Sequence, residues 1–85
     1  MTLTILYFAW VRERVGTGEE RVEVPDGAAT VADLLEWLRG RSEGHRAAFE
    51  DLGKVRAAVD QQFAALEASI AGAREVAFFP PVTGG

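Results

Sequence analysis

The sequence contains no cysteine and a single histidine, His45. Without thiols there are no disulfides, no thiolate metal sites and no cysteine nucleophile, and one histidine rules out a clustered histidine centre. No metal site is expected, and His45 reads as a solvated loop residue without a role. The missing disulfide chemistry fits residence in the cytoplasm. Lysine is almost as scarce: Lys54 is the one lysine among nine basic residues, which leaves few amines for self-conjugation. Thirteen acidic residues outnumber the bases and give a net charge of −4, which repels a phosphate backbone and argues against nucleic-acid binding.

Long hydrophobic runs are also missing. The best candidate, Thr2 to Val11, has ten residues, no basic segment before it and Arg12-Glu13-Arg14 after it, so neither a membrane span nor a signal peptide is expected. No glycine-rich phosphate loop precedes a helical pattern, and no repeat or low-complexity tract is present. Ser42, Ser69 and His45 lack the spacing of a nucleophilic triad. The chain is therefore poorly equipped as an autonomous enzyme, and no bound cofactor is expected.

What is present fits one small α+β domain. The 85 residues, 48% apolar and 26% charged, have room for one core. Residues 2–8 alternate as a strand, with Leu3, Ile5 and Tyr7 on one face and Leu6 and Phe8 among those on the other. Residues 9–15 form a short helix closed by Gly16, and 21–24 resume strand alternation, ended by Pro25-Asp26-Gly27. Thr30 and Asp33 make a capping-box pattern before Val31, Leu34, Leu35 and Leu38, which predicts the main helix over 31–40 with Trp37 at its flank. Residues 41–53 read as a long connection with a possible helical turn that buries Phe49 and Leu52. Residues 55–59 alternate as a strand. Over 60–71, composition and the Phe63, Leu66, Ile70 spacing favour a helix by propensity alone. Ala71-Gly72-Ala73 is a turn into a last strand at 75–79.

The ending is the most informative stretch: Glu75-Val-Ala-Phe-Phe-Pro-Pro-Val-Thr-Gly-Gly85. Val76 and Phe78 alternate with Glu75, Ala77 and Phe79, and then Pro80-Pro81 stops ladder pairing, because neither proline has an N–H to donate. Residues 80–85 can project up to roughly 20 Å as an extended arm. At the tip, Gly84 and Gly85 leave the α-carboxylate as the one functional group. A Gly-Gly end alone is often an ordinary frayed terminus, but a stiff arm on a packed strand argues for a purpose. If the first and last strands are central neighbours, Leu6, Phe8, Ala77 and Phe79 form an apolar patch on a sheet face that one helix cannot cover, and such patches mark partner interfaces.

These residues resemble the small-subunit family of molybdopterin synthase, ubiquitin-like sulfur carriers with the β-grasp fold. The resemblance runs nearly end to end and is carried by Leu6-Tyr-Phe-Ala-Trp-Val-Arg-Glu13 with Gly16, by Lys54-Val-Arg-Ala-Ala-Val59 and above all by the eleven-residue ending. It implies one β-grasp domain over 1–85, a mixed sheet with one main helix across one face, and 80–85 as a projecting tail. It also implies a turn and short strand near Phe63 to Leu66 followed by a brief helical turn, against the propensity reading. Ala73-Arg74 departs from the Gly-Asp often found there in the family, which touches only the turn.

Function follows from the same resemblance. The Gly85 carboxylate would be adenylated with ATP by a ubiquitin-activating-like adenylyltransferase. A sulfur donor enzyme would then convert it to a thiocarboxylate, a strong nucleophile that needs no cysteine. The tail would enter the large subunit of molybdopterin synthase, in a heterotetramer, and deliver sulfur to cyclic pyranopterin monophosphate. Gly84 would permit threading, Pro80, Pro81, Val82 and Thr83 would form the arm at the interface, and Phe8, Phe63 and Phe79 would dock the body. Three alternatives stay open at this level: a carrier for thiazole synthesis or tRNA thiolation, a protein modifier joined to lysines through Gly85, and a binding module with an inert tail.

Overall fold

The computed structural model describes residues 1–81. The expectations for Val82, Thr83, Gly84 and Gly85 lie outside the described residues. Strand β1 (Thr2–Tyr7) alternates as its sequence dictates, with Leu3, Ile5 and Tyr7 buried. It pairs antiparallel with β2 (Glu19–Glu23) and parallel with β5 (Glu75–Phe79), so that Ile5 lies beside Val76 and Tyr7 beside Phe78. On the other side of β5, β3 (Arg56–Val59) runs antiparallel and hands the sheet on to β4 (Gln62–Ala64). The resulting mixed sheet has five strands in the order β2-β1-β5-β3-β4. At the start of β1, the Met1 ammonium donates to Glu23 Oε1 at 2.9 Å and to the Val24 carbonyl.

Helices pack on one face of this sheet, as the β-grasp expectation requires: the short helix expected at 9–15 is α1 (Ala9–Val15), the main helix is α2 (Val31–Arg39), and a third, α3 (Glu43–Ala48), occupies part of the expected connection. Helix α1 ends at Gly16, whose φ of 98° is a left-handed cap that glycine adopts without strain. Helix α2 starts in the expected capping box, Thr30 accepting from the Asp33 N–H and Asp33 accepting from the Thr30 N–H. Its stripe of Val31, Leu34, Leu35 and Leu38 is fully buried, each side chain contributing about 1.5–3 kcal/mol of transfer free energy. Trp37 packs at the margin of the core as anticipated.

Two expectations need correction. Residues 41–53 are not a plain connection: Ser42 caps α3 by accepting from the His45 N–H, Phe49 is fully buried, and partly buried Leu52 opens a 3-10 turn at Leu52–Lys54. Gly44 is required by packing, because a Cβ there would collide with the Arg14 carbonyl oxygen at the end of α1. Residues 60–71 are not helical. They form a tight turn at Asp60–Gln61, then β4, then a turn at 66–67, as the family resemblance implied apart from its brief helical turn. Tertiary pairing overrides propensity here: the Leu66 and Ala68 carbonyls accept from the first N–H groups of α2, at Ala32 and Val31. Extended backbone is what brings those oxygens to the helix end, and it lets Ile70 enter the core while Phe63 faces out.

Replacing Gly44 with alanine is expected to cost about 1–3 kcal/mol, because the atom it meets is backbone and cannot swing away. Gly27→Ala, with open space at its Cβ position, should stay within about 0.5 kcal/mol. Urea unfolding of the two variants side by side measures the difference.

A candidate docking face around the last strand

The face of the sheet opposite the helices is assembled by register. Leu6 of β1 pairs with Ala77 of β5, Ala77 with Ala58 of β3, and Ala58 with Phe63 of β4, which gives one apolar row across four strands. Phe79 lies in the next row beside Arg56. Phe8 continues β1 beyond its last paired residue, and its N–H still donates to the Phe78 carbonyl at 3.1 Å. The three aromatic candidates therefore share one face. Phe63 is 84% exposed and Phe8 49%, whereas Phe79 is half-buried and touches Phe63 edge-to-face at a ring separation of 5.8 Å. Leu6 is half-buried and Ala77 nearly covered by its neighbours, so the large exposed area comes from the phenylalanines.

Beside Phe63 and Phe79 lies a shallow cavity of about 370 Å³, walled also by Ala57, Ala64, Ala65 and Arg56. The Arg56 guanidinium donates to the Gly53 and Val55 carbonyls, so its charge is held at the rim rather than over the apolar floor. None of the helices covers this face, because α3 packs against α1 and α2 on the opposite side. Pro80 and Pro81 leave the central strand directly from the aromatic patch, both half-buried. Gly84 and Gly85 are not among the described residues. Among those described, no cluster of three or more histidine, cysteine or carboxylate side chains is placed to hold a metal ion.

The opposite face holds a polar knot whose partners sequence reasoning did not connect. His45 is buried, at 6% exposure, and is not the solvated residue expected. Its Nε2 lies 2.6 Å from Glu20 Oε1, the Tyr7 hydroxyl donates to that same oxygen at 2.6 Å, and Ser42 Oγ lies 2.7 Å from His45 Nδ1. Arg41 approaches the other Glu20 oxygen at 3.8 Å. Burial pushes the Glu20 carboxyl up, but hydrogen bonds from Tyr7 and His45 together with the charges of His45 and Arg41 outweigh it and hold the group below the usual carboxylate range. Burial, then the bond to Glu20, pushes the Tyr7 hydroxyl well above its ordinary value. The knot thus aligns a serine, a histidine and a glutamate, yet Ser42 Oγ also accepts the His45 N–H as a helix cap, which is a structural task. Nothing in the linear spacing of Glu20, Ser42 and His45 signals the contact, since it depends on β2 lying beneath the start of α3.

Comparison with known proteins places the chain among others of the same size. The model of the ThiS family matches residues 5–85. The molybdopterin synthase sulfur carrier subunit of Escherichia coli strain K12 is 42% identical over 83 residues, which cover 98% of this chain and 99% of that one. The crystal structure of small archaeal modifier protein 1 from Haloferax volcanii is similar with a TM-score of 0.71 and 37% identity, covering 95% of this chain and 98% of that one. A putative molybdopterin converting factor subunit 1 from Pyrococcus furiosus is similar with a TM-score of 0.74 and 28% identity, covering 96% and 99%.

The polar knot carries a pH signature. Because the folded Glu20 carboxyl titrates below its unfolded value, its contribution is fully present above the ordinary carboxylate range and is lost as pH falls through the folded value. Glu20→Ala leaves the Tyr7 and His45 donors without their acceptor and is expected to cost about 2–3 kcal/mol at neutral pH. The variant should also lose part of the decline in thermal midpoint that the wild-type chain shows on acidification below the ordinary carboxylate range, as calorimetry across pH can measure.

Proposed function

The chain belongs to the ThiS family, and on that premise we propose that it is the sulfur carrier subunit of a molybdopterin synthase. The observation that carries the reading is the way β5 ends: a central strand passes through an exposed aromatic face at Phe79 and continues into two prolines and the Gly-Gly ending. Such an arrangement leads the chain out of the docking surface through two prolines that cannot extend the ladder. The carrier reading needs no nucleophile from the body.

In this mechanism the Gly85 carboxylate, a poor electrophile, is first adenylated by a ubiquitin-activating-like partner that uses ATP, with release of pyrophosphate. Sulfur from a donor enzyme then displaces AMP and leaves a terminal thiocarboxylate. Phe8, Phe63 and Phe79 dock the body on the large subunit, Pro80, Pro81, Val82 and Thr83 span the approach, and Gly84 lets the tip pass a narrow channel. There the sulfur attacks cyclic pyranopterin monophosphate, and the large subunit provides the catalytic groups in a heterotetramer. The chain would act as sulfur donor within a cytoplasmic sulfurtransferase complex; no helix among the described residues is long and apolar enough to cross a membrane.

A second reading, conjugation to protein lysines, is favoured by the likeness to small archaeal modifier protein 1. Intact mass spectrometry separates the two. After incubation with ATP, an activating enzyme and a sulfur donor, the carrier gains about 16 Da at its end, oxygen being replaced by sulfur, whereas a modifier appears in higher-mass isopeptide conjugates. A chain whose mass never changes sinks both. Deleting Gly85 is expected to abolish molybdopterin formation without shifting the thermal midpoint. Phe63→Asp, at an exposed site, is expected to weaken binding to the large subunit by about 2 kcal/mol or more, read by calorimetric titration; an unchanged affinity removes Phe63 from the interface.

A further inference from the structure

Three non-glycine residues among those described have positive φ: Ala9 at 52°, Asp60 at 48° and Gln61 at 71°. L-residues rarely take this left-handed conformation, and it persists only where the surroundings enforce it. Their positions are not scattered. Ala9 directly follows Phe8, and Asp60 and Gln61 precede Phe63 by three and two residues; these are the two large apolar side chains exposed among the described residues.

The geometry gives each strained residue a task. Phe8 is extended, at φ −125° and ψ 155°, and bonded to β5 through its N–H, while its carbonyl accepts from Val11 and Arg12 in the first turn of α1. The change of hand at Ala9 is what lets the chain leave the sheet immediately after Phe8 and cross to the helical side. The ring is thereby left standing at the end of the ladder. A glycine would take the same φ freely, but it would take others as freely.

At the far edge, positive φ at both Asp60 and Gln61 makes the two-residue loop whose twist fits a hairpin, with Val59 paired to Gln62. The Asp60 carboxylate oxygen Oδ1 accepts from the Arg74 N–H at 2.9 Å and the Glu75 N–H at 3.0 Å, and the Asp60 N–H donates to the Glu75 carbonyl at 2.9 Å. One side chain therefore clasps the β3–β4 turn to the root of the strand that bears the tail. Register follows: a slip of one residue in β4 would turn Phe63 away from Phe79 to the other face.

We propose that Ala9 and Asp60 are positioning residues for docking, whose enforced left-handed backbones and, for Asp60, its clasp on β5 hold Phe8 and Phe63 ready on the open face. This rests on the docking role assigned to that face above. The partner then meets a preorganised surface and does not have to order it on binding.

The test uses the full chain with Ala9→Gly, Asp60→Ala and Asp60→Asn, measured free and with the large subunit. Amide order parameters of the free chain should match the strands at Phe8 and Phe63 in the wild type. They should fall at Phe8 in Ala9→Gly and at Phe63 in Asp60→Ala, and recover in Asp60→Asn, which keeps a carbonyl acceptor and tolerates left-handed backbone. Affinity for the large subunit should fall roughly 5- to 10-fold in the two loosened variants, the scale of one or two side chains left to order on binding, with the sulfur-transfer rate at saturation unchanged and the thermal midpoint of Ala9→Gly not lowered. Wild-type order parameters and affinity in both loosened variants would overturn the proposal. So would a loss confined to the saturated rate, or an affinity loss that only tracks the unfolded fraction. If the wild-type chain itself does not bind the large subunit, the docking assignment falls, and the free-chain order parameters still report whether the two residues hold the backbone that carries the rings.

Discussion

The pairing of β1 with β5 is the constraint on which the rest of the molecule depends. It is the parallel contact in an otherwise antiparallel sheet, and it joins segments from opposite ends of the sequence. Parallel neighbours cannot be joined by a tight turn, so the chain between them adds three strands to the same sheet and three helices that close over one face. The core is the record of that closure: Leu3, Ile5 and Tyr7 meet Val76 and Phe78 beneath the α2 stripe, with Phe49 sealing the end against Tyr7 and Phe78. Because the helices are spent on one face, the other face of the same two strands stays open. The fold and the candidate docking surface are thus two results of a single pairing.

Charge and polarity follow this division. The polar knot of Tyr7, Glu20, Ser42 and His45 lies on the closed face, where it ties β1 and β2 to α3 and leaves no buried side-chain polar atom without a partner among the described residues. The open face carries aromatic surface and a short cavity, with arginine at its rim. Serine, histidine and glutamate, the residues most suggestive of catalysis, stabilise the body. The residues that serve the proposed function are a few phenylalanines, two prolines and a chain end, which carry little chemistry of their own.

Much of this was legible in the sequence where the signal is local. Alternation placed β1 and β5 to the residue or nearly so, and the Thr30 and Asp33 pair marked the start of α2, because those features arise from neighbours within four positions. The failures share one cause. Local signals give α3 only as a possible helical turn because Gly44 answers to the Arg14 carbonyl thirty positions away, and propensity alone misses β4, which family likeness implies, because Phe63, Leu66 and Ile70 imitate a helical stripe while being held apart by the N–H groups of α2 and by the β3 hairpin. His45 was misjudged for the same reason, its acceptor lying on β2. The candidate face was readable through Phe8 and Phe79, and Phe63 entered through family likeness alone. The strained backbone at Ala9 and Asp60 has no counterpart in composition or periodicity.

Parallel pairing also fixes where the molecule can be handled. Since β1 and β5 run the same way, β1 begins at the end of the sheet from which β5 starts, and the Met1 ammonium is moored there on Glu23 and Val24. Phe79 and the prolines depart from the opposite end, a strand length of roughly 16 Å away for five residues. A fluorophore, affinity handle or fused protein attached through Met1 would ride at the stern while the bow remained unencumbered, at the expense of one ion pair with Glu23.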